Sequence, residues 1–288
     1  TAEAALERAA AHASRAGVRR DELESLAWIP LVMWAGPTPV KQGLQRCLEL
    51  LERSGGDKKA SSSALMAQAA FESLGGHGEV ARDLIAQARA LLEEVPLTVW
   101  LAGPLTQFAG WVELMSGEPV RAEQELRWGY DKLLEIGEAS WLSTVAAILA
   151  ESVHAQGRDA EAEELTLESE ASAGAEDAYS QALLRSVRAK VVARRGLTDT
   201  ALQLARDSVA FADTTDFLHL RWYARMSNAN VLRVAGDAPG ASRLAQDALS
   251  LATQKGSVVG VKAARALLAG LEAEAHGAGR LGARPGVD

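Results

Sequence analysis

The sequence predicts an all-α fold, a right-handed superhelix of about six to seven helical hairpins, from two observations. Five glycines recur at intervals of 41, 40, 39 and 40 residues, namely Gly76, Gly117, Gly157, Gly196 and Gly236. An alanine stands five residues after each glycine, and a second small residue stands twelve residues after it. A fixed period of this length is typical of repeat proteins, in which each unit packs only on its neighbours.

Each period predicts a helix, a tight turn and a second helix. Glycine ends the first helix in the left-handed conformation, and residues five, eight and twelve positions later share one face of the next helix. Small residues on that face allow the two helices of a pair to approach closely: Ala81, Ala122, Ala162, Ala201 and Ala241 at the fifth position, then Ala88, Gly129, Ser169, Ser208 and Ala248 at the twelfth. Proline marks the start of several second helices, at Pro39, Pro119 and Pro239.

The turn residues divide the chain into a leading helix, six hairpins and a closing helix. We expect the leading helix to end near Arg15, the hairpins to span about 20–54, 58–94, 97–136, 138–173, 176–213 and 216–255, and the last helix to span about 257–275. The ladder extends back to Gly36, 40 residues before Gly76. The repeat domain is therefore predicted to span 1–275, followed by a flexible tail over 276–288, where Gly, Ala, Arg and Pro dominate.

Composition restricts the classes of partner. A net charge of −8 and a pI near 5.3 disfavour nucleic acid, which attracts basic surfaces. The longest apolar stretch, residues 26–36, is too short to span a membrane. Cys47 is alone and lies among leucines, so we expect a buried free thiol and a cytoplasmic location. Because the chain begins at Thr1 without Met, we expect it to be a segment of a longer protein.

No motif for catalysis or for a cofactor emerges. The tail contains Gly277, Gly279 and Gly282 in the dinucleotide-binding spacing, but no strand precedes them to build a phosphate cradle. A phosphate-binding loop and a His-Glu-x-x-His motif are both absent from the sequence, and its five histidines fall in separate repeats. We therefore expect no enzyme activity from this segment, no cofactor and no metal site.

The repeats resemble tetratricopeptide repeats, whose two interhelical contacts correspond to the small residues at the fifth and twelfth positions. Their period is longer than the usual 34 residues of that family. Nearly the whole chain also resembles the C-terminal helical array of actinobacterial signalling proteins that join a class III nucleotide cyclase to a P-loop ATPase module. The segments that carry this second resemblance are 34–40 (WAGPTPV), 128–137 (WGYDKLLEIG), 141–147 (WLSTVAA), 188–196 (RAKVVARRG) and 215–218 (TDFL). Since related arrays follow ATPase modules in large transcriptional activators, the resemblance implies a regulatory segment.

The tetratricopeptide resemblance implies a concave groove lined by the first helix of each pair, at 13, 10, 6 and 3 residues before the turn glycine. The implied groove residues are Trp111, His154, Lys190, Arg194, Tyr223, Asn230 and Arg233, and the groove is expected to run from apolar to basic. Lys190, Arg194, Asn230 and Arg233 form a polar patch suited to the carboxylate or backbone of a peptide. For any single residue, packing within the core or exposure to solvent is the competing interpretation. Packing between helices is also what we expect of Trp28, Trp34, Trp100, Trp128, Trp141 and Trp222.

Two functions follow as hypotheses. The first is a non-catalytic regulatory segment of a cytoplasmic signalling protein, which binds a peptide, a protein or a sister domain in its groove. The second is a small-metabolite sensor of a transcriptional activator, in which the superhelix encloses its ligand between Trp111, His154 and Tyr223.

Overall fold

The computed structural model describes residues 2–282, and all regular secondary structure within that range is helical. The helices are α1 Ala2–Arg15, α2 Arg19–Ala35, α3 Val40–Ser54, α4 Lys58–Gly75, α5 Gly78–Glu93, α6 Thr98–Trp100, α7 Thr106–Met115, α8 Pro119–Ile136, α9 Ala139–Ala155, α10 Asp159–Ser172, α11 Ala178–Arg194, α12 Thr198–Asp213, α13 Leu218–Val234, α14 Ala238–Lys255 and α15 Val258–Gly282. A π-helical segment, Leu101–Leu105, joins α6 to α7. The leading helix and the six predicted hairpins are confirmed.

The first helix of each hairpin lies inside the array and the second lies outside. In α9 the residues 142–150 are all buried, because this helix is surrounded by α7, α8, α10 and α11. Its partner α10 buries a single stripe, Ala162, Leu165, Thr166 and Ser169. A second helix with one buried face and one solvated face is the expected outer layer of a solenoid.

The glycine ladder acts as predicted. The five glycines that define the period have φ between +78° and +90°, a region that side chains with a Cβ rarely enter. The alanines five residues later are completely buried. At the twelfth position, Ser169 and Ser208 donate hydrogen bonds to the carbonyl oxygens of Ser143 and Ala182 on the inner helices, at 2.7 and 2.9 Å. Small residues thus fix the distance between the two helices of a pair.

Gly36 departs from this pattern. It follows the end of α2 as the ladder predicts, but its backbone is not left-handed, so the extension of the ladder to Gly36 is wrong about the turn. Its φ of −73° and ψ of −165° are extended, whereas the other turn glycines are left-handed. Pro37 follows directly, and the ring of a proline restricts the preceding residue to extended backbone. The chain therefore leaves α2 through an extended Gly-Pro-Thr-Pro segment, which supplies fewer backbone donors than an ordinary turn.

The third hairpin contains a feature that the repeat pattern did not indicate. Pro104 lies inside the first helix, within the π-helical segment 101–105. Proline lacks the N–H needed for the regular helical bond, and a wider π turn accommodates that loss. Gly103 in the same segment lies against the ring of Trp141 on α9.

The two ends of the array meet. Helix α2 contacts α13, and α15 contacts both α4 and α13. The link is Lys255, the last residue of α14, whose side chain is 2% exposed. Its Nζ donates to the carbonyl oxygens of Trp34 at 2.6 Å, Gly36 at 2.7 Å and Met33 at 3.4 Å.

Lys255 caps the C-terminal end of α2. The last carbonyl groups of a helix have no partner within the helix, and they carry the negative end of the helix dipole. A lysine from another part of the chain suits this helix end for two reasons. Its N–H groups donate to the unpaired carbonyl oxygens, and its positive charge faces the negative end of the dipole. Burial lowers the pKa of Lys255 to about 7, and Glu3 partly offsets the shift.

Cys47 is buried and free, as predicted, and burial raises the pKa of its thiol to about 12. The last helix runs to Gly282, beyond the predicted end near 275, while 283–288 of the predicted flexible tail lie outside the described residues. Between residues 2 and 282, no helix has the length and apolar character needed to cross a bilayer.

Replacing Lys255 with methionine is expected to destabilise the protein by about 3 kcal/mol, because the carbonyl oxygens at the end of α2 are left buried without donors. The measurement is equilibrium unfolding in urea. Lys262→Met on the exposed side of α15 is the control and should change stability by less than about 0.5 kcal/mol. Equal effects of the two substitutions would show that Lys255 does not hold the ends together.

Candidate functional site

The centre of the array is filled by its own aromatic side chains. Trp111 on α7 packs edge-on against His219 and Tyr223 of α13, with ring centroids 4.7 and 5.5 Å apart. Trp34 on α2 packs against the same histidine at 4.7 Å and against Phe108 at 5.0 Å. We call Trp34, Phe108, Trp111, His219 and Tyr223 the aromatic plug. It separates the inner surface into two openings.

The aromatic plug corrects part of the predicted groove. Trp111 and Tyr223 are 1% and 6% exposed, so they pack in the core and do not line an open groove. The space between them, which the sensor hypothesis assigned to a metabolite, is filled because their rings touch each other. The pattern placed both residues on the inner face correctly, but it did not show that the array closes around them.

The other five predicted residues come together around one pocket. His154 on α9, Lys190 and Arg194 on α11, and Asn230 and Arg233 on α13 line a cavity of about 290 Å³. We call this cavity the polar pocket; its remaining lining is Glu151, Ala155, Ala193, Val231 and Val234. All of these residues lie near the C-terminal ends of three neighbouring inner helices, which is why the repeat spacing brings them together.

Glu151 organises the floor of the polar pocket. Its carboxylate accepts hydrogen bonds from the hydroxyl of Tyr223 at 2.6 Å and from the ammonium of Lys190. Burial raises the pKa of Glu151, but the charge of Lys190 and the two hydrogen bonds outweigh it, so the pKa is lowered overall. The pairing of Glu151 across three helices had no signal in the sequence.

The rim of the polar pocket carries ion pairs of two partly exposed arginines and a hydrogen bond of a buried histidine. Arg194 and His154 both contact Asp159, at 3.0 and 2.8 Å, and Arg233 contacts Glu274 at 3.1 Å. Burial and the charge of Lys190 lower the pKa of His154, which favours the neutral ring. The side chains of the two arginines are 49% and 39% exposed, against 14% for Lys190. The arginines are therefore the accessible cations, and the lysine is held in place.

Asn230 contributes a polar group whose amide already bonds within its own helix. Its Nδ2 donates to the carbonyl oxygen of Met226 at 3.0 Å. That contact leaves the side-chain oxygen of Asn230 and a second amide hydrogen to face the polar pocket.

A second cavity lies at the opposite end of the same helices. It has a volume of about 320 Å³, and we call it the aromatic pocket; its lining is Trp28, Leu31, Val32, Trp34, Ala35, Gln107, Phe108, Ser140, Trp141, Thr144, Asp177, Tyr179 and Phe217. Thr144 lines this pocket and His154 lines the polar pocket, ten residues further along α9, so the two cavities are about 15 Å apart. Sequence reasoning assigned Trp28, Trp34 and Trp141 to packing alone and did not predict this cavity.

Comparison with solved structures confirms the fold. BtubC (BKLC) from P. vanneervenii is similar over 86% of this chain and 91% of its own, at 16% identity and a TM-score of 0.52. NprR, solved in complex with its cognate peptide NprX, is similar over 93% of this chain and 81% of its own, at 14% identity and a TM-score of 0.58. These likenesses establish an array of tetratricopeptide-like helical repeats. Neither the family models nor the curated proteins give a match to the sequence.

The aromatic plug predicts a pH dependence of stability. Burial, assisted by the charge of Lys255, lowers the pKa of His219 to about 3, against an ordinary value near 6.5. Between pH 6.5 and pH 3, the imidazole of His219 is protonated in the unfolded chain and neutral in the folded protein. Stability therefore falls as the pH falls. The expected loss from this one group is about 4 kcal/mol by pH 3.

The test compares the free energy of unfolding between pH 7 and pH 3.5 for the native chain and for His219→Phe. The variant should lose distinctly less stability over this range, since its ring does not titrate. His12→Gln, at an exposed histidine, serves as the control and should follow the native curve. Identical slopes for all three proteins would contradict the assignment.

Proposed function

We propose that this chain is a non-catalytic interaction segment of a larger regulatory protein, and that its polar pocket binds an acidic or carboxylate-ended peptide segment of a partner or of a sister domain. The observation that carries the proposal is the convergence of Lys190, Arg194, Asn230 and Arg233, from two neighbouring helices, on one cavity. Fixed donors on neighbouring helices suit a ligand carboxylate, because charge-assisted hydrogen bonds are the stronger kind.

The existing ion pairs define how such a ligand enters. Arg194 and Arg233 are paired with Asp159 and Glu274 near the solvent, where an ion pair is worth about 0–1 kcal/mol. A ligand carboxylate therefore displaces these partners at little cost. Lys190 keeps its contact with Glu151 and presents a remaining N–H to the cavity.

Precedent for the fold supports a peptide as the ligand. The structure of NprR contains the peptide NprX, and that protein shares the helical array over most of this chain. A partner with different affinity for two arrangements of the inner helices would shift the balance between them and so change the activity of the parent protein.

The nature of the parent is a separate part of the proposal and rests on sequence resemblance. Segments such as 34–40 and 128–137 favour a cytoplasmic signalling protein that carries a nucleotide cyclase or an ATPase module, or an ATPase-linked transcriptional activator. Reading the complete reading frame that contains this chain tests this part directly. An upstream cyclase domain or phosphate-binding loop supports it, and a frame with neither contradicts it.

The binding proposal predicts selectivity for a free carboxylate. In a library of short peptides, those with acidic residues and a free C-terminus should bind, and C-terminal amidation should weaken the best of them. The double substitution Arg194→Gln and Arg233→Gln should reduce affinity about tenfold or more, because each arginine contributes a charge-assisted hydrogen bond. Fluorescence anisotropy with labelled peptides measures both effects.

Arg206→Gln is the matched control for these substitutions. Arg206 lies on the outer helix α12, where it bonds only to Gln203 among the described residues, so its loss should leave peptide affinity unchanged. Peptides that bind the native chain and the double variant equally well would place their site elsewhere and refute the assignment of the polar pocket.

A further inference from the structure

The aromatic pocket is built from six rings of graded exposure. Trp34 and Phe108 are buried and form its floor. Four partly exposed rings form its walls: Trp28, Trp141, Tyr179 and Phe217. Partly exposed aromatic side chains around a cavity leave part of their ring surface available for contact with a ligand.

The walls are held in position before any ligand arrives. The rings of Trp28 and Trp141 are parallel to within 10°, with centroids 6.2 Å apart. Trp141 rests on Gly103, where an added Cβ would lie 2.5 Å from the Cγ of the indole, so only glycine allows this position. Tyr179 and Phe217 meet edge to face at 6.2 Å. A site with fixed walls loses little conformational entropy on binding.

The lining of the aromatic pocket contains one charged residue, Asp177. Its carboxylate caps α11 by accepting the backbone N–H of Ser180 at 3.1 Å, and it accepts the hydroxyl of Ser143 at 3.3 Å. No ion pair among the side chains described, residues 2–276, involves this aspartate. Burial raises the pKa of Tyr179, and the charge of Asp177 adds to the rise. The pocket is therefore apolar, and its one charged lining residue has no cationic partner among the described side chains.

Two buried polar side chains, Gln107 and Tyr179, also line the aromatic pocket. The side-chain oxygen of Gln107 is buried beside the buried hydroxyl of Tyr179. Burial raises the pKa of that hydroxyl, and hydrogen bonding with Trp111 and Gln107 opposes the rise. Gln107 is 7% exposed, and its Oε1 is an acceptor. An acceptor beside a carboxylate favours a ligand that carries positive charge or a donor.

The same tryptophan cluster already holds a cation on its outer side. The ammonium of Lys59 lies 4.6 Å from the centroid of the Trp100 ring, and Trp100 packs edge-on against Trp28 at 5.4 Å. Lys59 is neutralised by Glu24, so its charge does not compensate Asp177.

We propose that the aromatic pocket binds a small alkylated ammonium ion. Such an ion is attracted to the faces of tryptophan and tyrosine rings, and it loses less hydration on entry than a primary ammonium does. Its charge complements Asp177, which a neutral apolar ligand leaves without a cationic partner. A volume of about 320 Å³ is at the small end of ligand cavities and suits a trimethylammonium head with a short chain.

The decisive experiment compares a cation with its uncharged carbon isostere. Choline and 3,3-dimethylbutan-1-ol have the same shape, and calorimetric titration of the whole chain with each measures the contribution of charge. Choline should bind at least about tenfold more tightly than the alcohol. Equal affinity, or no binding of choline at millimolar concentration, would overturn the proposal.

Two substitutions locate the site. Asp177→Asn keeps an N-cap acceptor but removes the charge, and it should weaken choline binding about tenfold while it leaves the alcohol unaffected. Trp141→Leu should weaken both ligands. Asp237→Asn is the control, because Asp237 caps α14 in the same way, outside the pocket. If Asp177→Asn binds choline as tightly as Asp237→Asn and the native chain do, Asp177 does not recognise the cation.

The alkylated ammonium group has two possible sources, a free metabolite or a methylated lysine in a protein. A short peptide that carries trimethyllysine is compared with choline to separate them. Tighter binding of choline assigns the pocket to a free ligand, and tighter binding of the peptide assigns it to a modified side chain. Arg194→Gln with Arg233→Gln should leave choline binding unchanged, so this inference and the carboxylate proposal succeed or fail separately.

Discussion

The contact of Lys255 with the end of α2 is the constraint on which the inner surface depends. An array of hairpins stacked by local contacts has open ends, and here the last residue of α14 reaches back to the carbonyl groups at the end of α2. This contact brings α2 against α13, so Trp34 meets His219 at the centre of the array. The groove expected of such repeats thereby becomes a filled core with an opening at each end.

The two openings differ because they lie at opposite ends of the same helices. At the C-terminal ends of α9 and α11, the inner positions carry Glu151, His154, Lys190 and Arg194, which form the polar pocket. At the N-terminal ends, Trp141 and Tyr179 form walls of the aromatic pocket, and Asp177 caps α11 beside them. Both pockets are lined by residues of these shared helices.

Local features of the chain were predictable and long-range ones were not. The period of the glycines and small residues fixed the hairpins, since the left-handed turn and the close helix contact each depend on a residue within the repeat. Closure depends on residues more than 200 positions apart, and Lys255 has the local pattern of an ordinary basic residue at a helix end. Five of the seven predicted site residues share a pocket because their spacing is periodic. Trp111 and Tyr223 also lie on the inner face, but closure buries them in the core.

Cross-linking of Val40 to Gly256 tests the closure most directly. A Cβ built on Gly256 lies 3.9 Å from the Cβ of Val40, within the range that a disulfide requires. The φ of Gly256 is +74°, so a Cβ there adds backbone strain, which the single variant Gly256→Cys carries equally. The double substitution Val40→Cys and Gly256→Cys should form an intrachain bond under mild oxidation, seen as faster migration in non-reducing electrophoresis, while buried Cys47 stays reduced. The single variants and the pair Val40→Cys with Gln246→Cys should not form it. Failure of the first pair to cross-link in the folded protein would contradict a closed array.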